Sequence, residues 1–395
     1  MTSGTCGPQA EATTRALGLD CNATSPVASI RFPWELAHWT MPLLEVLVIG
    51  GAVFALVHAV RRHRSGDPVN LALWWASLVY LFVTEPPLYF PELFGLDKIY
   101  GFIFAHNQFT AQFMADRLPL YIVAFYPMIS QLAYELVRSL GIFRSRGTLA
   151  GSAVVALACQ VFYEVFDHVG PQLKWWAWNG ENDMVNHPAM GSVPMTSMLL
   201  FASVSMAGMT YLVVRLTGSS PLKDSTADGS TAQDGAANGS TPDGRPPRGR
   251  ALVLRTVLAG VLTPLTMVIA YIPPSLFGGQ NPDITGQAWI LGIELALIWL
   301  AGSRIVISHL RTADRGPGEP LSAFARFYPA IYLGGMAVFW IAALPGYLGA
   351  QDGMTSDGTL IGSGPYALAC FVGAGLLLTA MYRRNRTRSP APASA

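Results

Sequence analysis

Nine apolar runs, each about 20 residues long, constrain this chain more than any other feature. A helix of that length spans the hydrocarbon core of a bilayer, so each run predicts a membrane-crossing helix. The composition agrees, because 51% of the 395 residues are hydrophobic and only 12% are charged, which is typical of polytopic membrane proteins. We therefore predict an all-α, polytopic membrane helix bundle. The nine runs are Trp39–Val60, Leu71–Phe90, Leu118–Leu140, Leu149–Val169, Pro194–Leu216, Ala251–Leu276, Ala288–Leu310, Phe324–Leu348 and Pro365–Tyr382.

The placement of arginine predicts the orientation of the bundle. Cytoplasmic loops carry an excess of arginine and lysine. Arginines lie in every second connection and after the last run, whereas the opposite loops hold almost only Lys98, Arg117 and Lys174. The N-terminus is therefore predicted outside and the C-terminus inside. No A-x-A-like cleavage site follows the first run, which indicates a retained helix. Arginine outnumbers lysine by 22 to 3, which suggests a GC-rich bacterial genome and a bacterial plasma membrane.

The polar segments divide the chain into five regions. Residues 1–33 form a predicted extracytoplasmic tail, 34–217 a five-helix half, 218–250 a linker, 251–382 a four-helix half and 383–395 a cytoplasmic tail. The linker is rich in Gly, Ser, Thr, Asp and Pro, so we expect it to be disordered. Cys6 and Cys21 could pair if their tail is outside the cell. Cys159 and Cys370 are interpreted as small buried hydrophobes.

Several functional classes lack support in the sequence. The chain has no basic, aromatic-rich patch, so no nucleic-acid partner is predicted, and it has no Walker A, Rossmann, GxSxG or DDxxD motif. Two pairs, Glu35 with His38 and Glu164 with His168, have the spacing of metal ligands on a helix. The histidine clusters of membrane di-iron enzymes are absent, and the chain has only seven histidines. We predict no metal and no cofactor, and keep a metal enzyme as a minor alternative.

Acidic residues concentrate in the outer third of the predicted membrane. They are Glu45, Glu85, Glu164, Asp167 and Glu294, and no in-span lysine or arginine shares their depth. An ionisable residue inside a span is by default a hypothesis for a functional site. Carboxyl groups that lie together in an apolar surrounding cannot all ionise, so a neutral acid beside a carboxylate is expected. That pair is what general acid/base chemistry on an apolar substrate requires.

A structural role remains the alternative for some of these acids. A single glutamate in a span often links helices by a hydrogen bond, and for Glu45 and Glu294 this interpretation is favoured. Glu135 lies near the cytoplasmic end with Arg138 three residues later, so an interfacial ion pair is predicted there. Glu164 and Asp167 share one helix face by their spacing, and for them and Glu85 the functional interpretation is favoured.

The segment from Leu173 to Met198, "LKWWAWNGENDMVNHPAMGSVPMTSM", is unusually rich in aromatic and polar side chains for a loop. Trp175, Trp176 and Trp178 could belong to an aromatic belt at the membrane interface. Three tryptophans beside so many polar residues favour another interpretation, in which the segment folds back as a lid over a site.

The order of motifs in residues 33–216 resembles the integral-membrane carotenoid-biosynthesis proteins of the hydratase type. The plan is also similar to that of the membrane spirocyclase/dehydratase family of actinobacterial macrolide pathways. The resemblance rests on "TEPPLYF", "RLPLYIVAFYP", "CQVFYEVFDHVGPQLKWWAW" and "GSVPMTSMLLF". The insertion "NGENDMVNHPAM" and the four C-terminal runs depart from it. The matching residues are Glu85, Pro119, Leu120, Tyr121, Asp167, Trp176, Trp178, Val193 and Pro194.

This resemblance implies hydration, dehydration or cyclisation of a lipophilic polyene, isoprenoid or polyketide without a cofactor. Asp167 and Glu164 would form the acid/base pair, with Glu85 across the cavity. The candidate substrate-binding residues are Trp175, Trp176, Trp178, Tyr163, His187, Asn186, Tyr121, His106, Glu45 and Glu294. The expected partners are a lipophilic small molecule and membrane lipids, and no feature predicts an oligomeric state. The alternative is a non-catalytic transporter or an accessory subunit of an envelope lipid pathway, with the outer acids as proton or cation sites.

Overall fold

The computed structural model describes residues 6–218 except 24 and 26, together with residues 246–279, 281–312 and 321–386. Within those ranges, nine helices are long and apolar enough to cross a membrane, which confirms the predicted all-α membrane bundle. Most of the predicted linker and the end of the C-terminal tail lie outside the described residues. The helices are α1 (Pro8–Ala16), α2 (Met41–Arg64), α3 (Val69–Tyr89), α4 (Asp97–Tyr100), α5 (Leu120–Leu140), α6 (Ile142–Asp167), α7 (Asp183–Asn186), α8 (Met195–Thr217), α9 (Arg250–Ser275), α10 (Ile284–Arg311), α11 (Ala323–Leu348) and α12 (Gly364–Arg386).

The main departure from the predicted bounds is the start of α6. This helix begins at Ile142, seven residues before the predicted Leu149, because Gly141 adopts a left-handed conformation (φ 81°) and turns the chain directly from α5 into α6. Arg144 and Arg146 lower the local hydropathy, so the apolar run in the sequence does not include the start of this helix. Gly147 then departs from helical geometry (φ 81°, ψ 177°), so the uninterrupted part of α6 begins after Gly147, close to the predicted Leu149.

The core of the bundle is formed by α5 and α6. In their most apolar windows, 89% of the α5 residues and 78% of the α6 residues are buried. Helices α2, α3 and α8 pack around this pair. The four C-terminal helices lie further out, with α9 against α3 and α8, α10 and α12 against α6, and α11 against α2 and α5. The five-helix half therefore holds the core.

The predicted outer end of the bundle carries the strands and short helices of the interhelical connections. Strands β2 (Phe104–His106) and β5 (Trp176–Trp178) pair antiparallel, with Phe104 opposite Trp178 and His106 opposite Trp176. The other strands are β1 (Ala28–Ser29), β3 (Gln112–Phe113), β4 (Leu118–Pro119), β6 (Ala189–Met190) and β7 (Val193–Pro194), which pair as β1–β3–β4 and β6–β7. Cys6 and Cys21 form a disulfide in the N-terminal tail. We call the β2–β5 pair the outer ribbon.

The opposite end is held by a buried ionic network around Glu135. One carboxylate oxygen lies 3.2 Å from His58 Nε2, and the other accepts hydrogen bonds from Asn70 (2.9 Å) and Arg138 (3.2 Å). Arg138 also contacts Asp67 at 2.9 Å. The predicted Glu135–Arg138 pair is therefore present, within a network that joins α2, α3 and α5. The several partners satisfy charges that would otherwise be costly to bury.

Candidate functional site

A cavity of about 110 Å³ lies beneath the outer ribbon, between the outer ends of α3, α5, α6 and α8. Its walls are mainly aromatic and aliphatic. The aromatic side chains that line it include Phe104, Phe125, Tyr126, Tyr163, Phe166 and Trp176. None of the described residues that line it comes from α9 to α12, so the five-helix half supplies this cavity.

Two carboxyl groups from different helices line the cavity. Glu85 lies one turn before the end of α3, and Asp167 is the last residue of α6. Both are nearly inaccessible, with 6% and 3% of their surface exposed. The cavity lining contains no lysine or arginine among the residues that the structure describes. The fold thus brings together two acids that are 82 positions apart in the sequence, with no side-chain cation in the cavity wall to neutralise them.

The two carboxyl groups differ in their hydrogen bonds. The Tyr126 hydroxyl donates to Glu85 Oε1, so this acid is held in place by a partner from α5. The Ser197 hydroxyl also acts on the Asp167 carboxyl group as a hydrogen-bonding group, but Asp167 Oδ2 is buried and has no hydrogen-bond partner among the described residues. A hydrogen bond donated to a carboxyl group stabilises its ionised form. A buried carboxyl oxygen that accepts no hydrogen bond lacks this stabilisation. The cavity is therefore chemically asymmetric.

The outer ribbon forms the roof of the cavity and fixes His106. The Tyr121 hydroxyl donates to the Trp175 carbonyl (3.2 Å), so its oxygen is left to accept from His106 Nδ1, at 3.0 Å. This arrangement places the imidazole proton on Nδ1 and leaves Nε2 as an acceptor. Burial lowers the pKa of His106 to about 3, so the ring is neutral near pH 7. Tyr121 acts through His106 and does not itself line the cavity.

Trp178 lines both this cavity and a cleft on the outer surface. The outer cleft has a volume of about 760 Å³ and lies among α1, the chain from Pro171 to Glu181 and the α11–α12 connection. Trp178 is therefore the described residue that the two spaces share. Two of the three predicted tryptophans, Trp176 and Trp178, belong to the cavity wall.

The third tryptophan anchors the roof instead of lining the site. Trp175 is fully buried, and its Nε1 donates to Thr40 Oγ1 at 3.0 Å. Its ring stacks against Phe166 with centroids 5.7 Å apart. Burial of this kind does not fit a belt residue at the lipid interface. The interpretation of the segment as a cover over the cavity agrees with the positions of all three tryptophans.

Asn186 and His187 of the same segment have separate positions. Asn186 lines the cavity, and its amide nitrogen donates to the carbonyls of Ile103 (2.8 Å) and Asn179 (2.9 Å). Its Oδ1 is buried without a partner among the described residues. The His187 side chain is 36% exposed and lies 3.8 Å from Asp183, outside the cavity wall.

Glu164 shares a helix face with Asp167 but does not line the cavity. It is fully buried, and its Oε2 lies 3.3 Å from His168 Nε2. The backbone N–H of Ser363 donates to His168 Nδ1 (3.1 Å), so a neutral ring carries its proton on Nε2, facing Glu164. Residues three apart on a helix differ by about 60° in direction, and this rotation turns Glu164 toward α12. Glu164 therefore lies beside His168, although neither of its oxygens forms a hydrogen bond to a described residue. Of the predicted Glu164–Asp167 pair, only Asp167 lines the cavity.

Glu45 and Glu294, for which the sequence favours a structural role, lie outside the cavity wall. Glu45 accepts hydrogen bonds from the backbone of Phe109 (2.6 Å) and Thr110 (2.9 Å) and from the Thr110 hydroxyl. It therefore holds in place the loop that follows β2. Glu294 lies on α10, which packs against α6 and α8. Glu294 therefore does not connect the C-terminal half to the cavity.

The C-terminal half instead braces the outer end of α6. Trp340 Nε1 donates to the Val165 carbonyl at 2.9 Å, and Gln172 donates to the Ala343 carbonyl at 2.6 Å. Gly362 approaches so closely that a Cβ at this position would lie 2.1 Å from the His168 carbonyl oxygen. These contacts fix the segment that carries Asp167.

Several cavity residues were not predicted from the sequence. Tyr126 and Ser197 line the cavity, as does Phe201, which lies in a π-helical turn (Leu200–Val204) of α8. Such turns occur often at functional sites. Ile122, Phe125 and Tyr126 of α5 share one face by their three- and four-residue spacing, and that pattern could have identified Tyr126. The π-helical turn has no comparable signal in the sequence.

Among the described residues, no group of three or more His, Cys, Asp or Glu side chains is placed to hold a metal ion. In comparisons with known protein families, with curated proteins and with solved structures, no match to this chain is found.

Proposed function

We propose that the chain is a membrane-embedded enzyme that hydrates, dehydrates or cyclises a lipophilic isoprenoid, polyene or polyketide by side-chain acid/base chemistry. The observation that carries this proposal is the cavity in which Glu85 of α3 and Asp167 of α6 face one apolar, largely aromatic space. Apolar walls favour a hydrocarbon substrate, and two carboxyl groups supply a proton donor and a proton acceptor.

The hydrogen bonds suggest a role for each acid. Asp167, whose Oδ2 has no partner among the described residues, is the proton donor in this proposal, and Glu85, which accepts from Tyr126, is the proton acceptor. In hydration, Asp167 protonates one alkene carbon, water adds to the cation at the other, and Glu85 takes the proton that the added water releases. Dehydration is the reverse. In cyclisation, a second alkene attacks the cation, and Glu85 removes a proton from the product.

Aromatic faces would stabilise the cationic intermediate. A cation is attracted to the face of a tryptophan or tyrosine ring, more strongly when water is excluded. Tyr163 and Trp176 line the cavity beside Asp167. Their rings supply the attraction that the neighbouring aliphatic walls lack.

The volume of the cavity limits what it could hold. Sites for drug-sized ligands usually measure about 300–1,000 Å³, whereas this cavity measures about 110 Å³. We propose that only the reacting end of a longer chain enters it, with the remainder between helices or in the bilayer. Water would come from the outer cleft past Trp178, which lines both spaces.

The same small volume favours one other candidate, a transporter in which the outer acids bind a proton or a small cation. Two buried carboxyl groups in a space of about 110 Å³ would suit such a ligand, and ionisable residues inside spans often serve this purpose. A flux that depends on Glu85 and Asp167 in vesicles containing the purified protein would support this alternative.

The deciding experiment compares lipid extracts of the native host with and without the gene by mass spectrometry. The deletion strain is complemented with wild type, Asp167→Asn, Glu85→Gln or the control Glu294→Gln, which changes an outer-half acid outside the cavity wall. A compound shifted by one water, or an isomer of equal mass, should be restored by wild type and the control only. Since removal of a general acid or base typically costs 10²–10⁴-fold, either cavity variant should lower product formation at least about 100-fold.

The proposal is wrong if both cavity variants, present in the membrane at wild-type levels, restore the product fully. An unchanged metabolite profile, combined with a proton or cation flux that both variants abolish, would establish the transport alternative.

A further inference from the structure

A third and larger recess lies on the surface of the bundle, away from the acid cavity and the outer cleft. It has a volume of about 1180 Å³ and runs between α10 and α12, with Leu157 and Val161 of α6 at its base. Gly302 of α10 packs against Leu157, and Gly373 of α12 packs against Val161. These glycines let both helices approach α6 closely, and α6 forms the floor of the space between them. We call this recess the α10–α12 groove.

The groove is long enough to span at least one leaflet of a bilayer. Trp299 Nε1 of α10 donates to the Tyr366 hydroxyl of α12 at 3.3 Å, which bridges the two helices near the middle of α10. The lining runs from Trp299 to Leu310 on α10, a rise of roughly 16 Å at 1.5 Å per residue, and from Pro365 to Arg384 on α12, a rise of roughly 28 Å. Half of a hydrocarbon core measures about 15 Å. The groove can therefore accommodate an acyl chain from the leaflet on the arginine-rich side.

Charge is confined to one end of the groove. Most of its lining is aliphatic, but Arg383 and Arg384 lie at the end of α12 on the arginine-rich face. Arg146 lies nearby, because it and Arg384 both act electrostatically on His309. No Asp or Glu is present among the described residues that line the groove. The groove is thus apolar along its length and positively charged at its mouth.

We propose that the α10–α12 groove binds an anionic phospholipid, with its phosphate at Arg383 and Arg384 and an acyl chain along α10 and α12. The groove matches the chemistry of such a molecule, which has an apolar chain and a negative head group. Basic pockets between membrane helices on the cytoplasmic side bind anionic lipid head groups in the same way. A zwitterionic lipid offers the same chain without the net charge, so it binds more weakly. This site is independent of the proposed acid/base chemistry.

The test measures lipid binding to the purified full-length protein in a neutral detergent. Phosphatidylglycerol and phosphatidylcholine with identical chains are titrated separately, and bound lipid is counted by native mass spectrometry. The wild type should bind phosphatidylglycerol more tightly. Since each arginine near a phosphate contributes about 1 kcal/mol, the double variant Arg383→Gln/Arg384→Gln should bind it roughly 30-fold more weakly.

Two further variants separate a specific groove from general surface charge. Arg61→Gln/Arg64→Gln removes the same charge from the same predicted face, at the exposed end of α2, and should leave binding unchanged. Val372→Trp places a large ring on the groove wall at a residue that is 55% exposed, and should displace the acyl chain and reduce binding of both lipids. Equal binding of the two lipids by wild type, or equal losses in the two arginine variants, would overturn the proposal.

Discussion

Glu45 and Glu85 are both buried in the outer half of their helices, but they meet different groups. Glu45 accepts two backbone N–H groups and one hydroxyl from a single loop, which leaves little capacity for a further ligand. Glu85 accepts the Tyr126 hydroxyl and also faces the cavity. In the sequence, both residues are marked by the same feature, their depth in a predicted membrane span. What distinguishes a structural acid from a candidate catalytic acid is the number of donors that the fold supplies.

His106 provides a test of the cavity roof through pH. Its pKa is lowered to about 3 by burial, whereas an unfolded histidine titrates near 6.5. Between pH 3 and pH 6.5 the unfolded chain binds a proton at His106 that the folded chain does not. The contribution of His106 to the free energy of unfolding therefore has its full value above about pH 6.5. That contribution decreases as the pH falls toward 3.

We therefore expect His106→Gln to alter the pH dependence of stability. Thermal unfolding in detergent, followed by tryptophan fluorescence from pH 8 to pH 4, should show the wild type losing its advantage over the variant as the pH falls. His187→Gln, which changes a histidine at the surface, serves as the control and should retain the wild-type profile. A difference in Tm between wild type and His106→Gln that stays constant with pH would contradict the assignment.

At the level of elements, α6 depends on the C-terminal half for the position of its outer end. The chain at Gly362 and Ser363 packs directly on His168, one residue beyond Asp167. Trp340 and Gln172 add hydrogen bonds between this end of α6 and α11. The C-terminal helices thus contribute to the site by fixing the segment that carries Asp167, although they do not line the cavity.

The close approach at Gly362 predicts the effect of adding one methyl group. Gly362→Ala would place Cβ 2.1 Å from the His168 carbonyl oxygen, so the α11–α12 connection must move away from α6. Overpacking of this kind costs about 1–3 kcal/mol, and we expect a lower Tm in detergent together with lower product formation. Gly375→Ala adds the same methyl group on α12 where nothing lies within 4 Å, and should not lower the Tm. Equal Tm values for the two variants would show that the contact at Gly362 is unimportant.

The sequence predicted some of these elements well and others poorly, for physical reasons. The membrane helices could be predicted because a bilayer requires long apolar runs, whereas the outer ribbon has strands of three residues, too short for a periodic pattern. Glu85 and Asp167 could be identified by their depth. The resemblance implied that they share one cavity, but the residue pattern alone could not show it, because it depends on how α3 and α6 pack against α5. The direction of Glu164 toward α12 also depends on tertiary packing.

At the scale of the whole molecule, the two faces of the bundle are built differently. One face carries the outer ribbon, the outer cleft and the tail with the Cys6–Cys21 disulfide. The opposite face has tight connections between α2 and α3 and between α5 and α6, together with the Glu135 network. Arginines concentrate on this second face, which the sequence predicts to be cytoplasmic. The acid cavity and the mouth of the α10–α12 groove therefore lie toward opposite sides of the membrane.

This asymmetry leads to a prediction for the topology in cells. Because loops rich in arginine stay in the cytoplasm, alkaline phosphatase fused after Leu96, beyond α3, should be exported and active, whereas a fusion after Arg64, at the end of α2, should be inactive. Green fluorescent protein at the C-terminus should fluoresce, since it folds in the cytoplasm. The two phosphatase fusions differ by a single membrane helix and so control for each other at equal expression. The reverse pattern of activities would place the acid cavity toward the cytoplasm and the mouth of the groove toward the outer leaflet, and would rule out a supply of water to the cavity from outside the cell.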